Sequence, residues 1–365
     1  MRPIPKSEAP GSAPRSRVPH SRPCLGPSEE EAALRVLRSR RLDPGAEAAR
    51  FEAILGRLTG GSDAVALASG TVSLTLALRA LGLSARETVA IPSYGCAALL
   101  HAVRAAGTNP LLCDIDPGTL ALDPDDVARR AGESLRAVVV VHPFGVPVRL
   151  EPFRARGWLV IEDCCQALGA SDRGRPVGSR GDAAVFSFGP TKLITCGGPG
   201  GGLSSPRAAI VGTARDLAGH DEKPDDRPRL NGLMGDLHAA IAAVQIGRLK
   251  EFSDRRQAIA DRYDAAFPSL SLARPRGPEG TRPIAYRYLV RTSESDRLLR
   301  SLNDRGIVAR RPVFLPLHRM RDQGGSFPET DRAHRELVSI PIFPALDDGE
   351  VDRVIEEVLR CRPSR

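Results

Sequence analysis

The strongest constraint on the fold is a regular alternation of short apolar runs with segments of helical character. The apolar runs cover residues 64–68, 88–91, 110–115, 136–141, 158–162 and 183–188. They are continuously apolar, which is typical of strands in a parallel sheet covered on both faces. The helical segments between them include 71–83 and 122–132, where Asp123 before Pro124 is a typical helix start. The sequence therefore predicts an α/β domain with a mostly parallel sheet.

The C-terminal third has a different pattern. Residues 236–264 are predicted to form one long amphipathic helix, and the Pro- and Gly-rich stretch 268–283 is predicted to be a linker. A smaller α+β domain is indicated by apolar runs at 284–290 and 306–313 and by helices near 295–305 and 348–360. We therefore divide the chain into a disordered tail (1–17), a large domain (18–250) and a small C-terminal domain (251–365).

Composition excludes several classes of protein. With 41% apolar residues, the 365-residue chain is not a largely disordered protein. A net charge of +8 suits a nucleic acid, a membrane or an anionic small substrate, but the arginines are interspersed with acids, which favours a solvated mixed surface. Only 4% of residues are aromatic, and no stretch approaches the roughly 20 apolar residues of a membrane span. We expect neither a nucleic-acid nor a membrane partner.

The seven cysteines are scattered and form no C-x-x-C pair. This spacing predicts neither a structural metal site nor a disulfide framework. Free thiols fit a reducing compartment, so we expect a cytoplasmic protein.

Two short segments carry candidate ligand-binding residues. Ser69, Gly70 and Thr71 stand between a strand and a helix, where a glycine turn can bind phosphate or simply cap the helix. Asp163 follows a buried strand, and Gln166 is three residues further on. A carboxylate at a strand end could pair with a protonated ring nitrogen of a ligand. The alternative is that Asp163 caps the next helix while Glu162 and Gln166 point to solvent.

Lys192 is the third candidate. Only four of the 52 basic residues are lysines, and Lys192 lies close to the end of a strand and before a glycine run at 197–202. Arginine can replace lysine on a solvated surface but not where a neutral amine must attack a carbonyl. Chance placement is the alternative.

In this order, the three segments resemble the DegT/DnrJ/StrS family of sugar aminotransferases, which have the aspartate-aminotransferase fold (fold type I) and use pyridoxal 5'-phosphate (PLP). The resemblance runs from about residue 18 to 360 through LASGTVSLTLALRALGL, VIEDCCQALGA, VGSRGDAAVFSFGPTK and FLPLH. The VGSxGDxxxFSFxPTK string is its most specific part.

The resemblance implies a role for each site residue. Lys192 would bind PLP covalently and act as catalytic base, Asp163 would pair with the ring nitrogen, and Gln166 would contact the ring hydroxyl. The phosphate would be held by Gly70, Thr71 and Ser187, together with Asn231 of a second subunit, which implies a homodimer with a shared active site. At the position where relatives stack an aromatic on the ring, this chain has Cys96, and Tyr94 is the nearest aromatic. Either residue is a candidate for that contact.

The function implied is transfer of an amino group from glutamate or glutamine to a keto-sugar carried on a nucleotide diphosphate, in polysaccharide or antibiotic biosynthesis. Arg310, Arg311 or the cluster from Arg38 to Arg41 could receive the diphosphate. Alternatives are an aminotransferase for a free keto-cyclitol, a non-catalytic regulatory or assembly member of the family, and a DNA-binding protein. A dehydratase variant of the family has histidine in place of the lysine, and Lys192 counts against it.

Overall fold

A computed structural model describes residues 17–221, 223–268, 277–321 and 324–361. Its strands are β1 (Asp63–Leu67), β2 (Thr88–Pro92), β3 (Asn109–Cys113), β4 (Leu135–Val141), β5 (Leu159–Asp163), β6 (Ser171–Asp172), β7 (Arg175–Pro176), β8 (Ala183–Ser187), β9 (Gly201–Ser205), β10 (Thr281–Arg282), β11 (Tyr288–Arg291) and β12 (Leu337–Ile340). Its helices are α1 (Pro27–Ser39), α2 (Ala46–Leu58), α3 (Gly70–Ala80), α4 (Ala97–Ala105), α5 (Pro124–Arg130), α6 (Glu151–Arg154), α7 (Ala208–Ala218), α8 (Asp236–Gly247), α9 (Leu249–Ala266), α10 (Ser295–Asp304), α11 (Leu317–Met320), α12 (Pro328–Glu336) and α13 (Asp348–Arg360). Apart from Arg17, the predicted disordered tail lies outside the described residues.

A seven-stranded sheet in the order β1-β9-β8-β5-β4-β2-β3 forms the centre of the molecule. β9 runs antiparallel to both of its neighbours, and the remaining pairs are parallel. Apolar side chains of α3, α4 and α7 pack in one cluster with the sheet, and those of α2 and α8 pack in another. The predicted α/β fold with a mostly parallel sheet is therefore confirmed.

β9 is the strand of this sheet that the sequence does not predict, because glycine is depleted in strands. Its glycines are required by close contacts. A Cβ on Gly201 would lie 2.3 Å from the carbonyl carbon of Ser69, and one on Gly202 would lie 2.7 Å from Cδ2 of Leu55. Glycine in a strand often marks such a close approach, so the glycine run allows β9 to insert between β1 and β8.

Each predicted helical segment corresponds to a helix of the structure except in one place, although α3 ends at Ala80, before the predicted residue 83. The side chain of Asp123 caps α5 by accepting the N–H of Asp125, as predicted. The single helix predicted at 236–264 is wrong, because the chain forms α8 and α9 with a break at Arg248 (φ −94°, ψ 3°). The Arg248 guanidinium binds Glu29 and Glu251 at 3.1 and 3.0 Å. Apolar periodicity continues across such a break and does not reveal it.

α9 links the two parts of the chain. Leu249 and Phe252 pack in the same core as α8, whereas Ile259 and Tyr263 pack with β11 and β12. β11 pairs antiparallel with β12, and α10 and α13 pack beside them. The predicted boundary between residues 250 and 251 falls within the first turn of α9 and stays a prediction.

Two further features of the C-terminal region are the predicted linker at 268–283 and the apolar run at 306–313. Residues 269–276 of the predicted linker lie outside the described residues, but β10, within the same predicted linker, pairs with β6, which belongs to the predicted large domain. The apolar run at 306–313 makes single-residue bridges, Val18 with Ile307 and Arg310 with Ser339. Among the described residues, no helix is both long and apolar enough to cross a bilayer.

Candidate active site

The carboxyl ends of β1, β5 and β8 meet at one edge of the seven-stranded sheet. These three strands are parallel, since β5 pairs in parallel with β8 and both β1 and β8 are antiparallel to β9. β5 ends at Asp163, β8 ends at Ser187, and Ser69 begins α3 two residues after β1. Parallel sheets bind ligands outside this edge. The fold therefore brings the predicted segments together.

The first turn of α3 lies directly against β8. Ser69 caps the helix, because its Oγ accepts the N–H of Val72 at 3.2 Å. A Cβ on Gly70 would lie 3.0 Å from the Cβ of Ser187 and 3.3 Å from Sγ of Cys165. Helix geometry leaves the N–H groups of this turn without intrahelical acceptors, at the positive end of the helix dipole. The same turn can therefore be capped by Ser69 and donate to an anion.

Asp163 and Gln166 make local contacts that orient them. Oδ1 of Asp163 accepts the N–H of Cys165 at 2.9 Å, and Oε1 of Gln166 accepts the N–H of Phe144 at 2.8 Å. Both side chains are partly exposed. Because its oxygen is engaged, Gln166 presents its amide nitrogen as the group that can donate to a ligand.

Phe144 is a site residue that the sequence analysis missed. It has φ 56°, an unusual value for a non-glycine residue, and lies in the His-Pro-Phe-Gly turn after β4. A Cβ on the next residue, Gly145, would lie 1.9 Å from the carbonyl oxygen of Ile284. The turn chemistry after a buried strand was the available signal.

Lys192 lies in a turn five residues after Ser187, where its N–H donates to the carbonyl of Gly189 at 3.0 Å. Its side chain is partly exposed, and Nζ lies 5.9 Å from the ring centroid of Tyr286. Tyr286 is buried and was not predicted to belong to the site. No periodicity or motif in the sequence marked it.

The charge of the Lys192 amine depends on its surroundings. Burial lowers its pKa, but nearby groups that can carry negative charge outweigh burial, so the pKa is raised. In order of effect, these groups are Tyr286, Cys165, Asp163 and Cys96. Lys192 therefore interacts electrostatically with Asp163 and Cys96, two of the residues predicted to bind PLP.

Glu162 does not point to solvent as the alternative interpretation held. Its carboxylate is fully buried and accepts the N–H groups of Gly178, Arg180 and Gly181 at 3.0, 2.8 and 2.6 Å. Nε2 of His142 lies 3.0 Å from the same carboxylate. The VGSRGD string (177–182) therefore forms a loop whose N–H groups bind the Glu162 carboxylate.

His142, Glu162 and Cys164 form the cluster in the described residues with metal-ligand composition, with ligand atoms within 4.8 Å of one another. Both histidine nitrogens are engaged, because Nδ1 accepts the N–H of Val148 at 3.0 Å and Nε2 faces Glu162. Burial, together with the charge of Glu162, raises the pKa of the Cys164 thiol, so the thiol is not a ready ligand. The contacts indicate a structural hydrogen-bond network.

The two candidates for the ring-stacking contact lie in different environments. Tyr94 is buried in an apolar cluster with Leu289 and packs edge-on against Phe144, with ring centroids 6.5 Å apart. Cys96 is exposed at the start of α4 and lies near enough to Lys192 to affect its pKa. The structure thus places Cys96 at the site and directs Tyr94 into a core.

The residues predicted to contact a partner or a diphosphate have different surroundings, and the segment of Asn231 runs beside this edge, because the N–H of Ala68 donates to the carbonyl of Gly232 at 2.8 Å. Asn231 is exposed, on a segment that pairs with β1 through Leu233. The Arg311 guanidinium donates to the carboxylate of Asp296 at 2.6 Å and to the carbonyl oxygen of Arg335 at 2.8 Å. Arg310 is exposed, and its backbone pairs with Ser339.

The donor set at this edge fits PLP. A helix start and the Ser187 hydroxyl suit a phosphate, a strand-end carboxylate suits a protonated ring nitrogen, and an amine suits an aldehyde. The missing side chain at Gly70 leaves room for the close approach of these elements. Asp163, Gln166, Ser187 and Lys192 are the side chains that could hold the cofactor.

Comparison with known proteins agrees with this chemistry. The model of the DegT/DnrJ/EryC1/StrS aminotransferase family matches residues 23–359. The chain is 32% identical to the aminotransferase TlmJ from Streptoalloteichus hindustanus, with a TM-score of 0.88 covering 94% of this chain and 98% of that chain.

Two further solved structures are similar over nearly the whole chain. DesV of S. venezuelae, in complex with a ketimine intermediate, is 30% identical, with a TM-score of 0.86 covering 92% of this chain and 95% of that chain. The sugar aminotransferase CalS13 from Micromonospora echinospora is 27% identical, with a TM-score of 0.85 covering 93% of this chain and 99% of that chain.

Proposed function

The chain belongs to the DegT/DnrJ/EryC1/StrS aminotransferase family, whose aminotransferases use PLP, and from this premise we propose that it transfers an amino group from glutamate or glutamine to a keto-sugar carried on a nucleotide diphosphate. The observation that carries the proposal is the convergence of the α3 start, Asp163, Ser187 and Lys192 at one sheet edge. The sugar aminotransferase CalS13 supports a sugar as acceptor.

Each residue has a proposed task. The N–H groups of Gly70 and Thr71 and the Ser187 hydroxyl donate to the cofactor phosphate, as a helix start does for anions. Asp163 would accept a hydrogen bond from the N–H of the protonated ring nitrogen. PLP supplies, when bound, a ring that takes up the electron pair released at the reacting carbon. The Gln166 amide donates to the ring hydroxyl.

Lys192 is proposed to hold the cofactor and then to move a proton between the amino donor and the cofactor carbon. A lysine that accepts a proton must be neutral, yet its surroundings raise the pKa of Lys192. Asp163 contributes to that raised pKa. When the Asp163 charge is neutralised by a protonated ring nitrogen, its contribution diminishes, and Lys192 loses its proton more easily.

The diphosphate is proposed to bind arginines for which the described part of the chain provides no carboxylate partner. Arg38, Arg40 and Arg41 are exposed at the end of α1, whereas Arg311 is held by Asp296. We therefore favour the Arg38 to Arg41 cluster over Arg311. The net charge of +8 would assist capture of a doubly anionic substrate.

A homodimer is proposed as the active unit, with Asn231 reaching the cofactor phosphate of the partner subunit. Asn231 is exposed and stands next to Leu230, which is 37% exposed. Leu34, Leu37 and Leu42 are also exposed apolar residues. Apolar residues on a surface support a subunit interface when they are grouped. The free state of all seven cysteines supports the proposed cytoplasmic location.

The experiment is a substrate panel. The PLP-loaded protein is incubated with glutamate or glutamine and with nucleotide-linked keto-sugars or free keto-cyclitols, and aminated products are measured by mass spectrometry. We expect product only from nucleotide-linked acceptors. Product from cyclitols alone would replace the proposed substrate, and tightly bound PLP without conversion of either donor would favour a non-catalytic member of the family. Salt-dependent retention on duplex DNA would be needed to support nucleic-acid binding.

A further inference from the structure

Tyr286 lies at the centre of a group of three cations beside the candidate active site. Its ring centroid is 4.8 Å from the guanidinium carbon of Arg287, 5.9 Å from that of Arg256 and 5.9 Å from Nζ of Lys192. The Tyr286 hydroxyl donates to the carbonyl oxygen of Thr191, the residue before Lys192, at 3.3 Å. The side chain is only 4% exposed.

The two arginines at Tyr286 have no carboxylate partner within the described part of the chain. Arg256 is 2% exposed and donates to the carbonyls of Tyr286 and Ile342 at 3.1 and 2.8 Å. Arg287 contacts Nδ1 of His20 at 3.0 Å. Buried cations are normally paired, so a group able to become an anion here has a strong electrostatic effect.

Tyr286 is such a group. Burial raises the pKa of its hydroxyl, but the charges of Lys192, Arg287 and Arg256 outweigh burial, so that the pKa is lowered. Among the groups that raise the pKa of Lys192, Tyr286 has the largest effect. The interaction between the two side chains is therefore reciprocal.

From this arrangement we infer that Tyr286 is a positioning residue that sets the charge of the Lys192 amine. It does so as the negative partner of Lys192, with Arg256 and Arg287 favouring its ionised form. The other groups that raise the Lys192 pKa are Cys165, Asp163 and Cys96, so Tyr286 shares this role with them. The inference rests on the proposed role of Lys192 but on no substrate.

The first test measures the Lys192 amine directly. Full-length protein freed of PLP is treated with acetic anhydride across a range of pH, and acetylation of Lys192 is measured by mass spectrometry. In Tyr286→Phe, only Cys165, Asp163 and Cys96 remain to offset the effect of burial on Lys192, so we expect the labelling midpoint to move to lower pH. Tyr288→Phe is the matched control, since it removes a hydroxyl from another buried tyrosine whose partner is Asp264 at 2.8 Å.

The second test keeps the inference falsifiable if Tyr286→Phe folds poorly. Burial raises the pKa of Tyr94 and of Tyr263, so Tyr286 should ionise before them in an ultraviolet titration of the parent protein. We expect an early tyrosinate step in the parent and in Tyr288→Phe, and its loss in Tyr286→Phe. An absent early step in the parent, or equal labelling midpoints in the parent and Tyr286→Phe, would overturn the inference. Since neither test uses substrate, failure of the proposed transamination would leave both readable.

Discussion

Glu162 and Asp163 are consecutive residues of β5, and their carboxylates serve two different regions of the molecule. Glu162 is fully buried, and each of its oxygens has two donors, from His142 and the 178–181 loop. Asp163 is partly exposed and accepts one backbone N–H among the described residues, that of Cys165. A carboxylate with every lone pair occupied holds a loop in place, whereas one with free capacity can bind a ligand.

The contrast extends to the neighbours of each carboxylate. Around Glu162, the donors are backbone N–H groups of one loop, so the cluster is complete without a ligand. Around Asp163 are Lys192 and the thiols of Cys165 and Cys96, which influence one another electrostatically. We therefore expect substitutions on the Glu162 side to lower stability and those on the Asp163 side to lower PLP binding and activity.

Lys192→Ala should have the largest effect. Loss of the amine should remove the visible absorbance of bound PLP and lower transamination by at least about 10²–10⁴-fold, the usual contribution of a positioned acid or base. Lys250→Ala is the control, because Lys250 is exposed and pairs with Asp254 on the surface of α9. Absorbance spectra and product assays check both variants. Retention of a yellow, active protein in Lys192→Ala would exclude Lys192 as the cofactor lysine.

Glu162→Gln should have the largest effect on stability. The amide places an NH₂ group against donors that the carboxylate accepts, so the free energy of unfolding should fall by about 3 kcal/mol. Urea unfolding of the PLP-free protein measures this. An unchanged unfolding midpoint would show that the 178–181 loop does not depend on Glu162.

The same residue gives a pH dependence with a defined sign. Burial raises the pKa of Glu162, but His142 and the N–H groups of Gly178 and Arg180 outweigh it and lower the pKa to about 2, from an ordinary value of 4.5. A lowered folded-state pKa stabilises the protein above the ordinary value, and this contribution is lost as the pH falls from about 5 towards 2. Glu162→Gln should therefore have a flatter stability profile between pH 5 and 3 than the parent. Parallel profiles for the two proteins would contradict this assignment.

Asp163→Asn makes the same chemical change one residue further on, with the opposite expectation. The amide keeps an oxygen for the Cys165 N–H, so the free energy of unfolding should change by no more than about 0.5 kcal/mol. The affinity for PLP should fall by about 10–100-fold, since a hydrogen bond between charged groups is weakened. Equilibrium dialysis measures the affinity for PLP, and urea unfolding of the PLP-free protein measures the stability. A stability loss equal to that of Glu162→Gln would remove the distinction between the two carboxylates.

The predictable parts of this molecule are those in which local chemistry decides the structure. Continuous apolar runs predicted β1 to β5 and β8, and Asp123 before Pro124 marked the start of α5. Lys192 could be singled out as a candidate site residue because lysine is rare in this chain and Lys192 follows a strand.

The unpredicted parts depend on contacts between distant segments. β9 is a strand because Gly201 fits against Ser69, a contact between residues 132 positions apart that no propensity contains. The role of Glu162 depends on a loop that folds back to it, and the position of Tyr286 depends on α9 carrying Arg256 to the site. Single-sequence patterns describe neighbours along the chain, so such contacts escape them.

Gly70→Ala should have the smallest effect of the four substitutions. It changes no charge or hydrogen-bonding side chain at the candidate active site and tests only whether α3 must lie close to β8. The new methyl group would lie 3.0 Å from the Cβ of Ser187 and 3.3 Å from Sγ of Cys165, so α3 must move by a few tenths of an ångström. We expect a loss of about 1 kcal/mol in stability, and weaker PLP binding because the phosphate donors move away from Ser187.

The control for this variant is Gly212→Ala in the middle of α7, where, apart from its chain neighbours and the backbone of its own helix, no atom of the described residues lies within 4 Å of the new Cβ. There the methyl group only restricts the unfolded chain and favours the helix, so stability should rise by about 0.5–1 kcal/mol and PLP affinity should not change. The opposite signs of the two glycine substitutions separate a glycine needed for close packing from one that is not. If both variants were equally stabilised and bound PLP equally well, the close approach of α3 to Ser187 would not be a requirement of the site.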